Sequence, residues 1–267
     1  MRFRIDPLEM YKDLDEKYII NFLSTLGQAT WYSSYMVLLF PLGMFAFWFY
    51  DNKYIRIFSG IFTAVGFMTM VTQNSDSAFV AFGVMFFVMF WISMESNKRF
   101  ERFLEVVIMC LASFKFMGIC QRLFPENAVQ LDALPVFCSQ HPLIWVFLAI
   151  AIVVYFCFRQ MEKSGAIDVS GVKILRVIAL AVVLIGGIAA VVYIYLNTTG
   201  RLPENMKSSN NYLLFDEYWG NNRGSSWIFA AKSFFKGSLI RKLFGCGPDG
   251  FSSFVYSFFG AELAAKW

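Results

Sequence analysis

The sequence predicts an all-α fold: a polytopic membrane helix bundle of about six transmembrane helices, followed by a large C-terminal extracytoplasmic loop. Three observations predict it. Hydrophobic residues make up 58% of the 267 positions and charged residues only 16%, which leaves a soluble chain of this length short of polar surface. Six apolar runs, each close to the length of a membrane span, recur along the chain. Lys and Arg gather in every second loop between those runs, as in a chain that crosses a membrane repeatedly.

Taken in order, residues 1–24 are mixed in charge and read as an extracytoplasmic N-terminal segment. They lack the basic start, short apolar core and small-residue cleavage site of a secretory signal. Residues 25–197 form the transmembrane bundle, with spans at 31–50, 55–71, 79–94, 103–120, 143–158 and 174–196. Several fall a little under the ~20 residues of a full span, a shortfall that packing and interfacial aromatics absorb. Trp31, Tyr32, Tyr50, Tyr54, Trp91, Trp145, Tyr193 and Tyr195 lie near span ends, where aromatic belts form.

Orientation follows from the loops. Those after spans one, three and five carry Lys53 and Arg56, then Lys98, Arg99 and Arg102, then Arg159, Lys163, Lys173 and Arg176. The alternate short loops carry only Arg122. The positive-inside rule places the first set in the cytoplasm and leaves residues 198–267, an extracytoplasmic helical loop, outside. The N-terminus then also lies outside.

Composition excludes several function classes. The net charge of +4 is spread as topology requires rather than massed on one segment, so no nucleic-acid partner is indicated. The five cysteines show no paired spacing and three lie in apolar runs, which indicates neither a disulfide framework nor a zinc site. A single histidine, His141, removes most His-based metal centres. No metal and no cofactor are expected.

The stretch at 222–256 carries the chemistry. Asn222 is a residue type that caps helix N-termini, and Arg223 follows it. Trp227, Phe229–Ala231 and Phe234 recur at the spacing of one helical face. The turn at 245–250 then ends the segment, and Phe251 opens a second short apolar helix. An Arg in the first turn of a helix stands beside free backbone N–H groups and the positive dipole end, which makes an anion site. The turn also satisfies the spacing Gly-x-Gly-x-x-Gly. The dinucleotide-binding reading is rejected, because no buried strand or βαβ unit surrounds it.

An Arg, a Trp four residues on, then a Gly-x-Gly turn followed by a Phe resembles the signature of the O-antigen ligase and O-antigen polymerase family of bacterial polytopic membrane proteins. Arg223, Trp227, Gly245, Gly247 and Phe251 occupy those places. Looser likeness extends to residue 25: Gly27 is kept, while Gln28 and Thr30 stand where the family often has Asn. Asp76 stands in the place of a family Arg, which reverses the charge there, and Lys242 replaces a frequent Pro. The resemblance implies a metal-independent glycosyltransferase in the plasma (inner) membrane, serving cell-surface polysaccharide assembly. Its donor would be a glycan carried on a polyprenyl diphosphate, its acceptor a glycan, lipid or protein, and its other partner membrane lipid. The implied substrate-binding residues are Arg223, Asn222, Trp227, Gly245, Gly247, Gln28 and Thr30. The family's catalytic His lies downstream of the Gly turn, beyond Trp267, so the catalytic residue is unknown. The chain is therefore expected to be the central part of a longer protein, with further spans upstream, and inactive alone.

Such a transfer needs a cationic or N–H-rich site for the diphosphate, a base near the acceptor hydroxyl and an apolar groove for the lipid. Arg223 meets the first need and Phe-rich spans the third; Asp216 and Glu217 are the nearest acidic stand-ins for the second, although each also reads as a solvated charge. His141, before Pro142, reads as an interfacial or capping residue, and Lys115 as a side chain that snorkels outward from span four. Gly186 and Gly187 read as a helix-packing contact, and the Asn197-Thr198-Thr199 sequon as chance. The alternative function is a non-catalytic transporter or lipid-linked-glycan binding protein. The absence of an internal repeat and the near charge-free spans disfavour the transporter.

Overall fold

The computed structural model describes residues 29–73, 75–128, 130–210, 212–247 and 250–264 and the isolated positions 3, 9 and 26; at Ala29, Lys173, Asn221 and Asn222 it describes the backbone alone. The described residues are helical, without strands. The helices are α1 (Ala29–Phe49), α2 (Lys53–Thr72), α3 (Asp76–Ser93), α4 (Asn97–Leu123), α5 (Ala133–Gln140), α6 (Leu143–Lys163), α7 (Lys173–Thr198), α8 (Trp219–Lys236), α9 (Leu239–Phe244) and α10 (Gly250–Ala264). Six of them, α1 to α4, α6 and α7, are long and apolar enough to cross a membrane. Each expected span is thus a helix, and the helices run 18 to 27 residues, longer than most of their apolar stretches. Polar residues complete the extra turns: Asn52 Oδ1 accepts from Tyr54 N (2.9 Å) at the start of α2, and Ser96 Oγ from Arg99 N (3.3 Å) at the start of α4.

The chain divides into two compact units, residues 1–176 and 177–267. In the first, α4 is the central helix, packing against α1, α2, α3, α5 and α6. Its core is aromatic and thioether-rich: Phe40 and Met44 of α1, Phe67 and Met70 of α2, Phe82 and Met89 of α3, and Phe114 and Met117 of α4 are all buried. The Phe40 ring lies 4.9 Å from both Phe67 and Phe82. Lipid tails are as apolar as these side chains, so close packing rather than water exclusion holds such helices together. Glycine permits the approach. A Cβ at Gly66 would stand 2.0 Å from the Phe40 ring, and one at Gly118 would stand 2.1 Å from the Ser139 carbonyl of α5.

The three basic loops meet at one end of this bundle. Arg102 is buried there; its guanidinium donates to the carbonyls of Trp48 (3.1 Å) and Phe49 (3.0 Å) and pairs with Asp51. Those carbonyls end α1 and have no partner within their own helix. Lys98 also reaches Asp51 (2.6 Å), Arg56 pairs with Glu105 (2.5 Å) and Arg159 with Glu101 (3.4 Å). Asn97 ties in the loop after α6, donating to Ile167 O (3.0 Å) and accepting from Val169 N (2.9 Å). Lys98 and Arg102 beside Asp51 hold its carboxyl below the ordinary carboxylate range.

At the opposite end of α4, Lys115 is buried and donates to the His141 carbonyl (3.3 Å), its ammonium 5.2 Å from the Trp145 ring. His141 is indeed a capping residue: its Nδ1 accepts from Leu143 N (3.2 Å) at the start of α6. The short helix α5 between spans four and five has no counterpart among the sequence expectations.

In the second unit, the end of α7 staples the loop that follows it. Asn197 is buried; its Nδ2 donates to Ser208 O and Leu213 O (both 2.8 Å), and its Oδ1 accepts from Ser208 N (3.2 Å). Thr198 Oγ1 accepts from Phe215 N (2.8 Å), and Tyr193 donates to Met206 O (2.8 Å). Asn197 and Thr198 of the sequon thus hold this loop in place. Gly186 and Gly187, read as a packing contact, have no atom within 4 Å of a Cβ placed on either.

Candidate functional site

The expected site residues in the second unit lie on α8 and on the turn between α9 and α10. Helix α8 begins at Trp219, three residues before Asn222, so Asn222 is not its N-cap and Arg223 lies past the first turn. Asp216 sets the entry instead: its Oδ1 accepts from Tyr218 N (2.9 Å) and its carbonyl from Trp219 N (3.2 Å). Gly220 takes φ +59°, and the chain at 216–217 lies against the helix so closely that a Cβ at Gly224 would stand 1.9 Å from the Asp216 carbonyl. Ser225 N donates to Glu217 O (2.9 Å), so one N–H expected to face an anion is already used. A left-handed Gly220 and a bare Gly224 make this fold-back possible.

Arg223 is exposed, and no hydrogen bond or ion pair joins it to another described residue. One turn on, the Trp227 ring packs against Trp219 at 5.0 Å, tilted by 52°, and remains 56% exposed. Trp219 is itself fixed, donating from Nε1 to Tyr212 O (3.2 Å) and lying 5.4 Å from Phe215. Of the apolar face expected on this helix, Phe229 is buried, together with Ser225 and Ser233, whereas Trp227 and Phe234 are open. Phe229 meets Phe259 of α10 at 5.9 Å, Lys232 pairs with Glu262, and Lys236 lies 4.4 Å from the Phe258 ring. Cation–aromatic contacts thus clasp α8 to α10.

Gly245 and Gly247 both take left-handed backbone, φ +78° and +79°, between α9 and α10. They close a pocket of about 310 Å³ lined also by Ser233, Phe234, Arg241, Lys242, Phe251 and Phe254. Arg223 and Trp227 do not line it; Trp227 borders a separate, nearly apolar groove of about 570 Å³ with Lys232, Lys236 and Phe259. The motif residues therefore fall into two groups on one helical hairpin, and the cations beside the glycine turn are Arg241 and Lys242. The adjacency of Arg241 and Lys242 three residues before the turn is the signal that could have found them.

Of the remaining expected residues, Thr30 lies half-buried in the first turn of α1, in the first unit. Gln28, with Gly27, falls outside the described residues, and the side chain of Asn222 is not described. No group of three His, Cys, Asp or Glu side chains among the described residues could hold a metal ion.

The helical fold and its six apolar helices define the class: a helical multi-pass membrane protein in contact with lipid. No known family model, curated protein or solved structure matches the chain.

Proposed function

We propose that the chain is part of a membrane glycan ligase or polymerase, which transfers a polyprenyl-diphosphate-linked glycan to an acceptor outside the plasma membrane. The observation that carries the reading is the pair on α8: an Arg223 guanidinium without a partner among the described residues, one helical turn from the half-open Trp227 ring backed by Trp219. Residues four apart share a helix face. A guanidinium can hold two phosphate oxygens at once, and a supported aromatic face offers a surface on which a sugar ring stacks. Exposed apolar helices nearby in the chain suit a donor that carries a long prenyl tail.

The test is donor binding, and transfer, with a polyprenyl-diphosphate glycan in membranes containing the full-length protein. Arg223→Lys is expected to lose most donor binding or transfer and Arg223→Ala more, because a point charge cannot replace the planar fork. Unchanged transfer and unchanged donor affinity in Arg223→Ala would return this side chain to a solvated charge.

A second reading, a protein that binds the lipid-linked glycan without turning it over, is favoured by one observation. Among the described residues, neither the glycine-turn pocket nor the Trp227 groove is lined by His, Asp or Glu, the side chains that would serve as a base. Donor affinity that depends on Arg223, in membranes where no transfer occurs, would select it.

A further inference from the structure

We propose that the pocket closed by Gly245 and Gly247 is a binding site for the phosphate head of an amphiphile, held by Arg241, Lys242 and Ser233. Ser233 lines this pocket with only 8% of its surface exposed, and its hydroxyl has no hydrogen-bond partner among the described residues. A buried hydroxyl is ordinarily paired, and an unmade bond at a pocket wall is a donor waiting for a ligand. Arg241 and Lys242 line the same space, and neither forms an ion pair with a described residue. Lys232, on the same hairpin, shows the contrast by pairing with Glu262. Between Tyr218 and Pro248 the sequence holds five Lys and Arg and no acid.

The ligand class follows from the lining. Arg241 is steadied over the Phe254 ring at 4.8 Å, which occupies one guanidinium face and leaves its N–H edge to donate. Two cations and a hydroxyl suit a tetrahedral phosphate better than a flat carboxylate. The larger remaining walls are the Phe234, Phe251 and Phe254 side chains, with Ala230, Gly237 and Cys246 between them, which suits an apolar group next to the phosphate. The volume of about 310 Å³ lies at the small end of the roughly 300–1,000 Å³ typical of small-molecule sites, enough for a headgroup and not for its chains. Beside the pocket, α9 exposes Leu239, Ile240, Leu243 and Phe244, each about 70% or more open, and these are the surface on which chains would lie. The assignment does not require glycan transfer, and its test reads binding alone.

The full chain is placed in phosphatidylcholine nanodiscs doped with phosphatidic acid, and native mass spectrometry measures retained phosphatidic acid as its content is raised. Arg241→Gln and Lys242→Gln should each raise the apparent Kd about tenfold, the size of one charge-assisted hydrogen bond. Ser233→Ala should raise it about threefold to fivefold, as for a neutral bond. Lys232→Gln, which removes the same charge from the same hairpin, should leave it unchanged. Lys242 is exposed, so its variant reads binding without risk to the fold. Displacement by inorganic pyrophosphate would assign the pocket to a phosphate taken from water, and retention against it to a lipid headgroup. Equal phosphatidic acid affinity in the Arg241→Gln, Lys242→Gln double variant overturns the proposal. So does a loss in Lys232→Gln as large as that in Lys242→Gln, which would mark attraction by bulk charge only.

Discussion

Replacing Arg102 by Ala separates the two roles its guanidinium plays at the basic end of the bundle. It makes two hydrogen bonds to the Trp48 and Phe49 carbonyls and one ion pair to Asp51. The carbonyl bonds are the larger part, because the side chain is buried and the helix end it satisfies has no internal alternative. A hydrogen bond from a charged donor contributes about 1.5–3 kcal/mol, and partial rescue by water at the helix end brings the expected loss for the pair to roughly 2–4 kcal/mol. Asp51, with 68% of its side chain exposed, contributes a solvent-screened attraction that salt weakens further. Unfolding in mixed micelles should therefore show a large, salt-insensitive loss for Arg102→Ala and a small, salt-sensitive one for Asp51→Asn. The Asp51 carboxyl is depressed in the folded chain, so its contribution is present above the ordinary carboxylate pKa and fades as pH falls through the folded value. Acidification should erase the difference between wild type and Asp51→Asn. If Asp51→Asn destabilises as much as Arg102→Ala, or if the Arg102→Ala loss vanishes in high salt, the carbonyl-capping role is wrong.

Three further outcomes are expected. Asn197→Ala loses three hydrogen bonds from a buried amide, so limited proteolysis should cut residues 200–213 faster, with a stability loss of about 1–3 kcal/mol. Burial, with Asp76 nearby, pushes the Cys138 thiol up, whereas Cys246 is exposed; a maleimide at neutral pH should modify Cys246 and spare Cys138 until the protein unfolds. Single cysteines at Gly165 and Ser209, in a background without the native thiols, should label from opposite sides of the membrane, because the basic loops converge at the end of the bundle that bears Gly165. Labelling of both from outside would discard the cytoplasmic assignment of those loops.

The spans were legible because membrane helices announce themselves by composition: α7, from Lys173 to Thr198, is unbroken apolar sequence between polar ends. The eight-residue α5 was not, since its place is fixed by Gly118 of α4 meeting the Ser139 backbone, a contact with no local signature. Counting only Lys and Arg picked out loops that meet at one end of the first unit but missed that Arg56, Lys98, Arg102 and Arg159 pair there with Glu105, Asp51 and Glu101. At the site, Asn222 satisfied a local capping preference that the fold-back of residues 216–217 overrides through Gly220 and Gly224. The left-handed turn at Gly245 and Gly247 was legible, whereas the pairing of that turn with Arg241, Lys242 and Ser233 depends on how α9 returns against α8. Asn197 stands in the polar end of α7, where nothing local distinguishes a staple from an ordinary helix-terminal polar residue.

Glycan handling by the second unit is tested most directly by photocrosslinking. A polyprenyl-diphosphate glycan with a photoreactive group on its first sugar is irradiated in membranes containing the full chain, and the labelled peptides are mapped. Label is expected in residues 219–264, reduced in Arg223→Ala and competed by unmodified donor. Label confined to residues 29–163, or label that unmodified donor does not compete, would contradict it.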